Sequence, residues 1–422
     1  MRARHCGLDF GTSNSTLGFR EGDGYVMCAL DGESPTLPSA VFFDYEEDRV
    51  QFGRNGIAAY IAGVEGRLLR ALKSVLGSQL IGETTLIGRK RVPMRAIIGM
   101  FLRQMKKLAE HRLGHAIDNV VLGRPVRFVD EDDAADRRAE EELVAIAKEQ
   151  GFNHVATQLE PIAAALAYEQ SLSQEELSLI VDLGGGTSDF VVARLSPEGA
   201  RRSDRSGDIL GRSGVHVGGT DFDCSLSIAQ AMPHLGYDAL VGPKRLPMPS
   251  HLFHDLATWH KIPFLYTPQN ISYLRSIIDQ SDQPARLERL LHLLAKRQGH
   301  QLAGEVEAVK IALSDAMETI LHLPRDPDSA LPDAAITVTR ADLDHAVDRD
   351  TFRIIDAIDR CCREAAIDPR RLQSIFLTGG STGIPSVRRR ILEHVPNARP
   401  VAGDMFGSVG LGLAIDADRR FS

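Results

Sequence analysis

With 422 residues the chain is too long for one simple core, so two or more domains are expected. Hydrophobic residues make up 43% and charged residues 25%, and the net charge of −8 argues against nucleic acid or an anionic membrane as the main partner. The five cysteines form no C-x-x-C and no stretch approaches the ~20 apolar residues of a membrane span, so a cytoplasmic protein without disulfide or zinc is expected.

The N-terminus lacks the apolar core of a signal peptide and runs directly into "CGLDFGTSNSTLGF", residues 6–19. This reads as a strand, a glycine turn and a second strand, with Asp9 just before the turn and Thr12 within it. The basic "GRKR" at 88–91, like "RRR" at 388–390, reads as solvated surface. Helical apolar spacing follows over 97–113, then a buried strand over 120–125 ended by Pro125. Residues 131–152 predict a charged, then amphipathic, helix ended by Gly151. "PIAAALAY", 161–168, starts on a proline and is rich in small residues, which predicts a helix that packs closely.

A polar stretch marks a domain boundary near 175. Beyond it "IVDLGGGTSDFVV", 180–192, repeats the first pattern, with Asp182 before the glycines and Thr187 after them. Asp9 and Asp182 lie too far apart for a solenoid repeat but suit a duplicated domain. Residues 232–300, with the single tryptophan Trp259 and many histidines, read as an inserted lobe. His111 with His115, and His251 with His254, have metal-ligand spacing but no completing cysteine or carboxylate, so they read as exposed or core histidines. Cys361 and Cys362 fall in a helical apolar pattern and read as buried small hydrophobes. A third glycine turn, "GGSTG" at 379–383, matches a nucleophile elbow, but only His394 follows Ser381 and no acid lies between in the required order.

Glycine turns let several backbone N–H groups converge on a phosphate. The chain has no Gly-Lys dipeptide, which excludes a P-loop, and "GGGTSD" leads into a strand where a dinucleotide fingerprint opens a helix. Two facing hairpins would clamp a polyphosphate from both sides. Their aspartates would repel it unless a cation such as Mg²⁺ lay between. The pattern therefore predicts a nucleotide held in a two-domain cleft.

The ordered series DFGTSNS, LEPIAAALAY, VDLGGGTSDF, GGTDFD, EAVKIALS and TGGSTGIP resembles the actin-like ATPase superfamily, and within it the heat-shock protein 70 chaperones of the DnaK type. The resemblance implies an α/β actin-like ATPase fold of two lobes, each with a mixed, ribonuclease H-like central sheet and an inserted subdomain. It implies lobe I at 1–175 with an insert at about 40–115, lobe II at 176–378 with an insert at about 228–304, and a return to lobe I over 379–422. It implies ATP/ADP and Mg²⁺ as cofactors, with Asp9 and Asp182 at the metal. Asp9, Gly11, Thr12 and Ser13 in one hairpin, and Asp182, Gly184, Gly185, Gly186 and Thr187 in the other, would bind phosphate. Gly218 and Gly219 would join them. Lys73, in "LLRALKSVLG", would stabilise the γ-phosphate, and Glu160 would orient the hydrolytic water. Glu307, Lys310 and Ser314 on one helix face, and Gly379, Gly380 and Ser381 in the third turn, would hold adenosine.

Three positions depart from the family pattern. Gly383 stands where an adenine-stacking arginine is usual, Thr220 where an acid is common, and Phe406 where an aspartate is common. Weaker or relaxed base recognition is the expectation. The chain ends soon after "GLGLAI", which implies a short member without the peptide-binding domain. The function expected is slow ATP hydrolysis driving lobe closure, in a chaperone that acts through a protein partner or client. A small-molecule kinase on the same fold and a non-hydrolysing actin-like scaffold are the alternatives.

Overall fold

A computed structural model describes residues 4–129, 132–202, 205–324, 334–401 and 407–422. Phe406 lies outside the described residues. The chain divides into two compact units. One comprises Met1–Gly218, Arg353–Thr382 and Arg389–Ser422, and the other Gly219–Phe352 with Gly383–Arg388.

The first unit contains two sheets built to one plan. In the first, β1 (His5–Asp9), β2 (Asn14–Glu21) and β3 (Gly24–Met27) form an antiparallel meander, and β4 (Asn119–Arg124) and β5 (His154–Leu159) extend it in parallel beyond β1. In the second, β6 (Glu176–Leu183), β7 (Ser188–Leu195) and β8 (Ile209–Val215) form the meander, and β9 (Ser374–Thr378) and β10 (Arg399–Val401) run parallel beyond β6. Strand order is the same in both. The duplication read from Asp9 and Asp182 is thus present in the sheets: Asp9 is the last residue, and Asp182 the last but one, of the first strand of its meander.

The apolar runs explain why these strands are central. Leu8, Val120, Val121 and Leu122 on one side and Leu179, Ile180, Val181 and Val191 on the other are fully buried, as expected of strands covered on both faces. Four helices of this unit concern the site and its support: α1 (Met94–Leu113), α2 (Asp133–Glu149), α3 (Glu160–Glu169) and α4 (Ser408–Phe421). The Asp132 side chain accepts from the N–H groups of Ala134 and Ala135, which starts α2 two residues later than the charge pattern suggests. The small residues of α3 serve close packing. A Cβ on Gly412 of α4 would lie 1.7 Å from the Ala163 carbonyl oxygen, and one on Gly7 of β1 would lie 2.2 Å from the Ala414 nitrogen. Phe10, Phe19, Phe101 and Phe152 fill the core on the side of α1 and α2.

The second unit carries the helix Gly219–Leu226, continued by a π-helical turn at Ser227–Ala231, then a helical region that includes Trp259. The long helix Gly299–Asp315 and the hairpin of Glu318–His322 with Ala335–Thr339 complete it. Cys361 and Cys362 are buried in the first unit, as their helical spacing predicts, and burial pushes their thiols up to about 12 and about 11. Among the described residues, no helix is long and apolar enough to cross a membrane.

Candidate functional site

The two glycine hairpins meet in the first unit. The turn between β1 and β2 is tight: a Cβ on Gly11 would lie 2.0 Å from the Asn14 carbonyl oxygen. A Cβ on Gly185, in the turn between β6 and β7, would lie 1.7 Å from Ser13 Oγ, and one on Gly186 would lie 3.5 Å from Thr12 Cγ2. The tips of the hairpins therefore face each other at contact distance. Only a residue without a side chain fits at 185.

Two further predicted glycines close on the same place. A Cβ on Gly218 would lie 2.6 Å from the backbone of Gly185 and of Gly186. Gly379 has φ +82°, a left-handed backbone that favours glycine, and a Cβ there would meet Leu183 O at 2.3 Å and Asp182 Oδ1 at 2.8 Å. Ser381 donates its hydroxyl to the Gly184 carbonyl at 3.2 Å. The third turn is thus built against the second hairpin, and the residue that imitates a nucleophile is engaged in holding it.

Charged side chains sit beneath the hairpins. Lys73 lies in a short 3-10 turn, Leu72–Val75, entered through Ala71 at φ 55°. Its Nζ donates to Glu160 Oε1 at 2.5 Å, and both side chains are buried. Glu160 is the first residue of α3, followed by Pro161, so β5 and α3 together aim it. Burial disfavours the charge on Lys73, but Glu160, Asp9 and Asp189 hold its ammonium above the usual range. Burial, then Glu160, raise Asp9 well above the carboxylate range, with Lys73 opposing. Burial, then Glu160 and Asp189, push Asp182 up to about 7, again against Lys73. The Asp9 Oδ1 atom is buried and has no hydrogen-bond partner among the described residues.

Asp189 is a member of this cluster that the sequence reading did not select. It is buried, and it sits directly across the hairpin from Asp182 in the β6–β7 register. The signal was available: a hairpin closing over "LGGGTS" pairs the aspartates on either side of it. Gly123 of β4 was also missed. A Cβ there would stand 3.1 Å from Glu160 Cγ and 3.4 Å from Asp9 Oδ1, so its hydrogen leaves room for both carboxylates.

Glu307, Lys310, Ser314 and Gly219 belong to the second unit and are described within it. Lys310 donates to the Gly219 carbonyl at 3.0 Å and pairs with Asp223 at 2.7 Å, so its charge ties the helix Gly299–Asp315 to the helix Gly219–Leu226. Arg340 donates to the carbonyls of Leu313 and Ser314 and fixes the end of the same helix. Gly383 has open space around its Cα: a Cβ would meet only Ser314 Oγ, at 4.0 Å.

The family described as Hsp70 protein matches residues 72–230 and 289–417, more than half of the chain. The chain belongs to the Hsp70 family. Its α/β architecture is accordingly that of the family's actin-like ATPase fold. Similar proteins include "Chaperone protein DnaK" of Endomicrobium trichonymphae, 26% identical over 98% of this chain and 57% of the relative. "Chaperone protein DnaK" of Thermus thermophilus is 27% identical over 98% of this chain and 60% of its own length. "Heat shock 70-related protein 1, mitochondrial" of Leishmania major is 26% identical over 90% of this chain and 53% of its own length. The chain thus spans little more than half the length of these Hsp70 relatives.

The buried carboxylates make the ligand-free protein sensitive to pH. Asp182 has a folded-state value raised above its ordinary 3.8, so it favours folding in its protonated form. That contribution is complete below about 3.8 and is lost as pH rises through about 7. The expected result is a melting temperature that falls between pH 5 and pH 8, with a shallower fall in Asp182→Asn. Thermal denaturation across that range, without nucleotide or divalent cation, measures it. Equal slopes in the two proteins would contradict the assignment.

Proposed function

We propose that this Hsp70-family protein binds ATP and ADP at the facing hairpins and hydrolyses ATP slowly, with lobe closure as its output toward a protein partner or client. The observation that carries the reading is the buried Asp9 oxygen without a partner, at the foot of two glycine hairpins and beside the Lys73–Glu160 pair. An anion with its own cation relieves that arrangement. Asp9 and Asp182 fit Mg²⁺: they are oxygen donors, and their raised proton affinity marks carboxylates short of positive charge. Asp9 and Asp182 would hold the ion, which when bound neutralises polyphosphate charge.

The other roles follow from position. Backbone N–H groups around Gly11–Ser13 and Gly184–Thr187 would receive phosphate oxygens without side chains in the way. Lys73, held charged, would stabilise negative charge developing on the transferred phosphoryl group. Glu160, aimed by Pro161 and α3, would orient the water. Glu307, Lys310 and Ser314, with Gly379, Gly380 and Ser381, are the adenosine candidates.

The test is thermal denaturation of the purified chain with Mg²⁺ and ATP, ADP or neither, together with phosphate release. The expected result is a higher melting temperature with either nucleotide and slow release of inorganic phosphate. No stabilisation by either nucleotide would overturn the reading. Phosphate recovered on a sugar or an acid, rather than free, would replace it with a kinase.

A further inference from the structure

The hairpin of Thr84–Ile87 and Lys90–Pro93, in the first unit, carries an exposed cationic turn with an exposed leucine beside it. Between Arg67 and Arg91 the chain has six basic residues and one acid, Glu83, in a protein of net charge −8. Lys73 turns inward to Glu160. Arg67, Arg89, Lys90 and Arg91 lie at the hairpin. Gly88, at φ +57°, turns the chain, and Arg89, Lys90 and Arg91 follow it, all exposed. Arg67 donates to the Thr85 hydroxyl at 3.3 Å, which places it against the first strand. Arg67, Arg89, Lys90 and Arg91 have no ion-pair partner among the described residues. Arg95, Arg124 and Arg205, by contrast, each hold two carboxylates.

The exposed apolar residue is Leu86. It is 57% exposed and lies directly opposite Arg91 in the hairpin register, so these two share a face, whereas Ile87 and Val92 face inward onto the core from the other face, which also carries Lys90, opposite Ile87, and Arg67, against Thr85. Leu80, just before the hairpin, is equally exposed. The two-stranded sheet has no further strand partner among the described residues, so its edges also offer backbone donors and acceptors.

We propose that this hairpin docks an acidic protein segment that carries an apolar residue for Leu86. Charge complementarity chooses that occupant. The exposed cations of the turn, Arg89, Lys90 and Arg91, attract carboxylates, and the exposed leucine beside Arg91 adds an anchor that charge alone does not supply. Single-stranded nucleic acid fits less well, because residues 66–95 contain no aromatic side chain for bases to stack on and the whole chain is acidic.

Fluorescence anisotropy on the full chain tests this with four probes. They are a labelled peptide of repeated Glu-Glu-Leu, the same peptide with serine for leucine, a single-stranded oligonucleotide, and phosphatidylserine vesicles. The leucine peptide is expected to bind best. Combined Arg89→Glu, Lys90→Glu and Arg91→Glu should weaken it at least about tenfold, and Leu86→Ser should abolish the preference for leucine over serine. Arg89→Gln, Lys90→Gln and Arg91→Gln together provide a milder version if the reversed hairpin misfolds. Equal binding of both peptides, insensitivity to the glutamine variant, or tighter binding of the oligonucleotide or vesicles would overturn the proposal. Nucleotide-dependent stabilisation should be the same in every variant, which keeps this result separate from the nucleotide reading.

Discussion

Replacing Lys73 by alanine is expected to lower ATP turnover by about 100-fold or more, the usual cost of removing one preorganised group that faces developing charge. Affinity for ADP should change far less, because the glycine hairpins and the adenosine candidates are untouched. The same substitution has a second effect in the ligand-free protein. Lys73 is the cation placed against Glu160, Asp9, Asp182 and Asp189, and it opposes the raised proton affinity of Asp9 and Asp182. Without it the cluster must take up protons or unfold. Removing one partner of a buried ion pair typically costs about 3–5 kcal/mol. The melting temperature of Lys73→Ala should therefore fall below wild type most at high pH and least near pH 5, where protons can replace the lysine. A purely structural lysine would give the stability loss with proportionate turnover. A surface lysine would give neither. Single-turnover hydrolysis, ADP titration and melting curves at several pH values distinguish the three, and unchanged turnover would exclude Lys73 from the chemistry.

The parts of this site that were legible in sequence are those whose physics is local. Glycine turns between β-rich runs, an aspartate at each strand end, and a proline opening "PIAAALAY" report backbone geometry that any fold must respect. They led to hairpins that are present as strands β1–β2 and β6–β7. Less legible was anything set by register or by long-range approach. Asp189 enters the cluster because it pairs across from Asp182, and Gly123 matters because β4 runs beside β1 and brings it to Asp9. Lys310 shares a helix face with Glu307 and Ser314, a local relation. It also pairs with Asp223 and donates to the Gly219 carbonyl, far away in sequence. "GRKR" reads as ordinary solvated surface, because only the pairing of Leu86 with Arg91 reveals an exposed apolar residue beside a cation.

Introducing a single methyl group at Gly185 should disable the clamp. Its Cβ would lie 1.7 Å from Ser13 Oγ and 2.7 Å from Ser13 Cβ. Rotating the serine hydroxyl away leaves the second clash in place, so one hairpin tip must retreat from the other. Overpacking of this kind costs about 1–3 kcal/mol, and here it acts where phosphate oxygens would be received. Gly185→Ala is expected to weaken ATP binding at least about tenfold. At the neighbouring Gly186 a Cβ would stand 3.5 Å from Thr12 Cγ2, an ordinary contact, so Gly186→Ala should bind within a few-fold of wild type. The decisive variant is the pair Ser13→Gly with Gly185→Ala. Removing the serine side chain relieves both close contacts and leaves the Ser13 nitrogen at 3.6 Å. Ser13→Gly alone should weaken binding modestly by losing its hydroxyl. If the tips meet as described, the double variant binds better than Gly185→Ala, a coupling that two independent sites would not show. Isothermal titration with ATP and Mg²⁺ across the four variants and wild type measures that coupling directly. Additive losses would mean that the hairpins do not face each other in solution, and the two-jawed grip on phosphate would be lost with them.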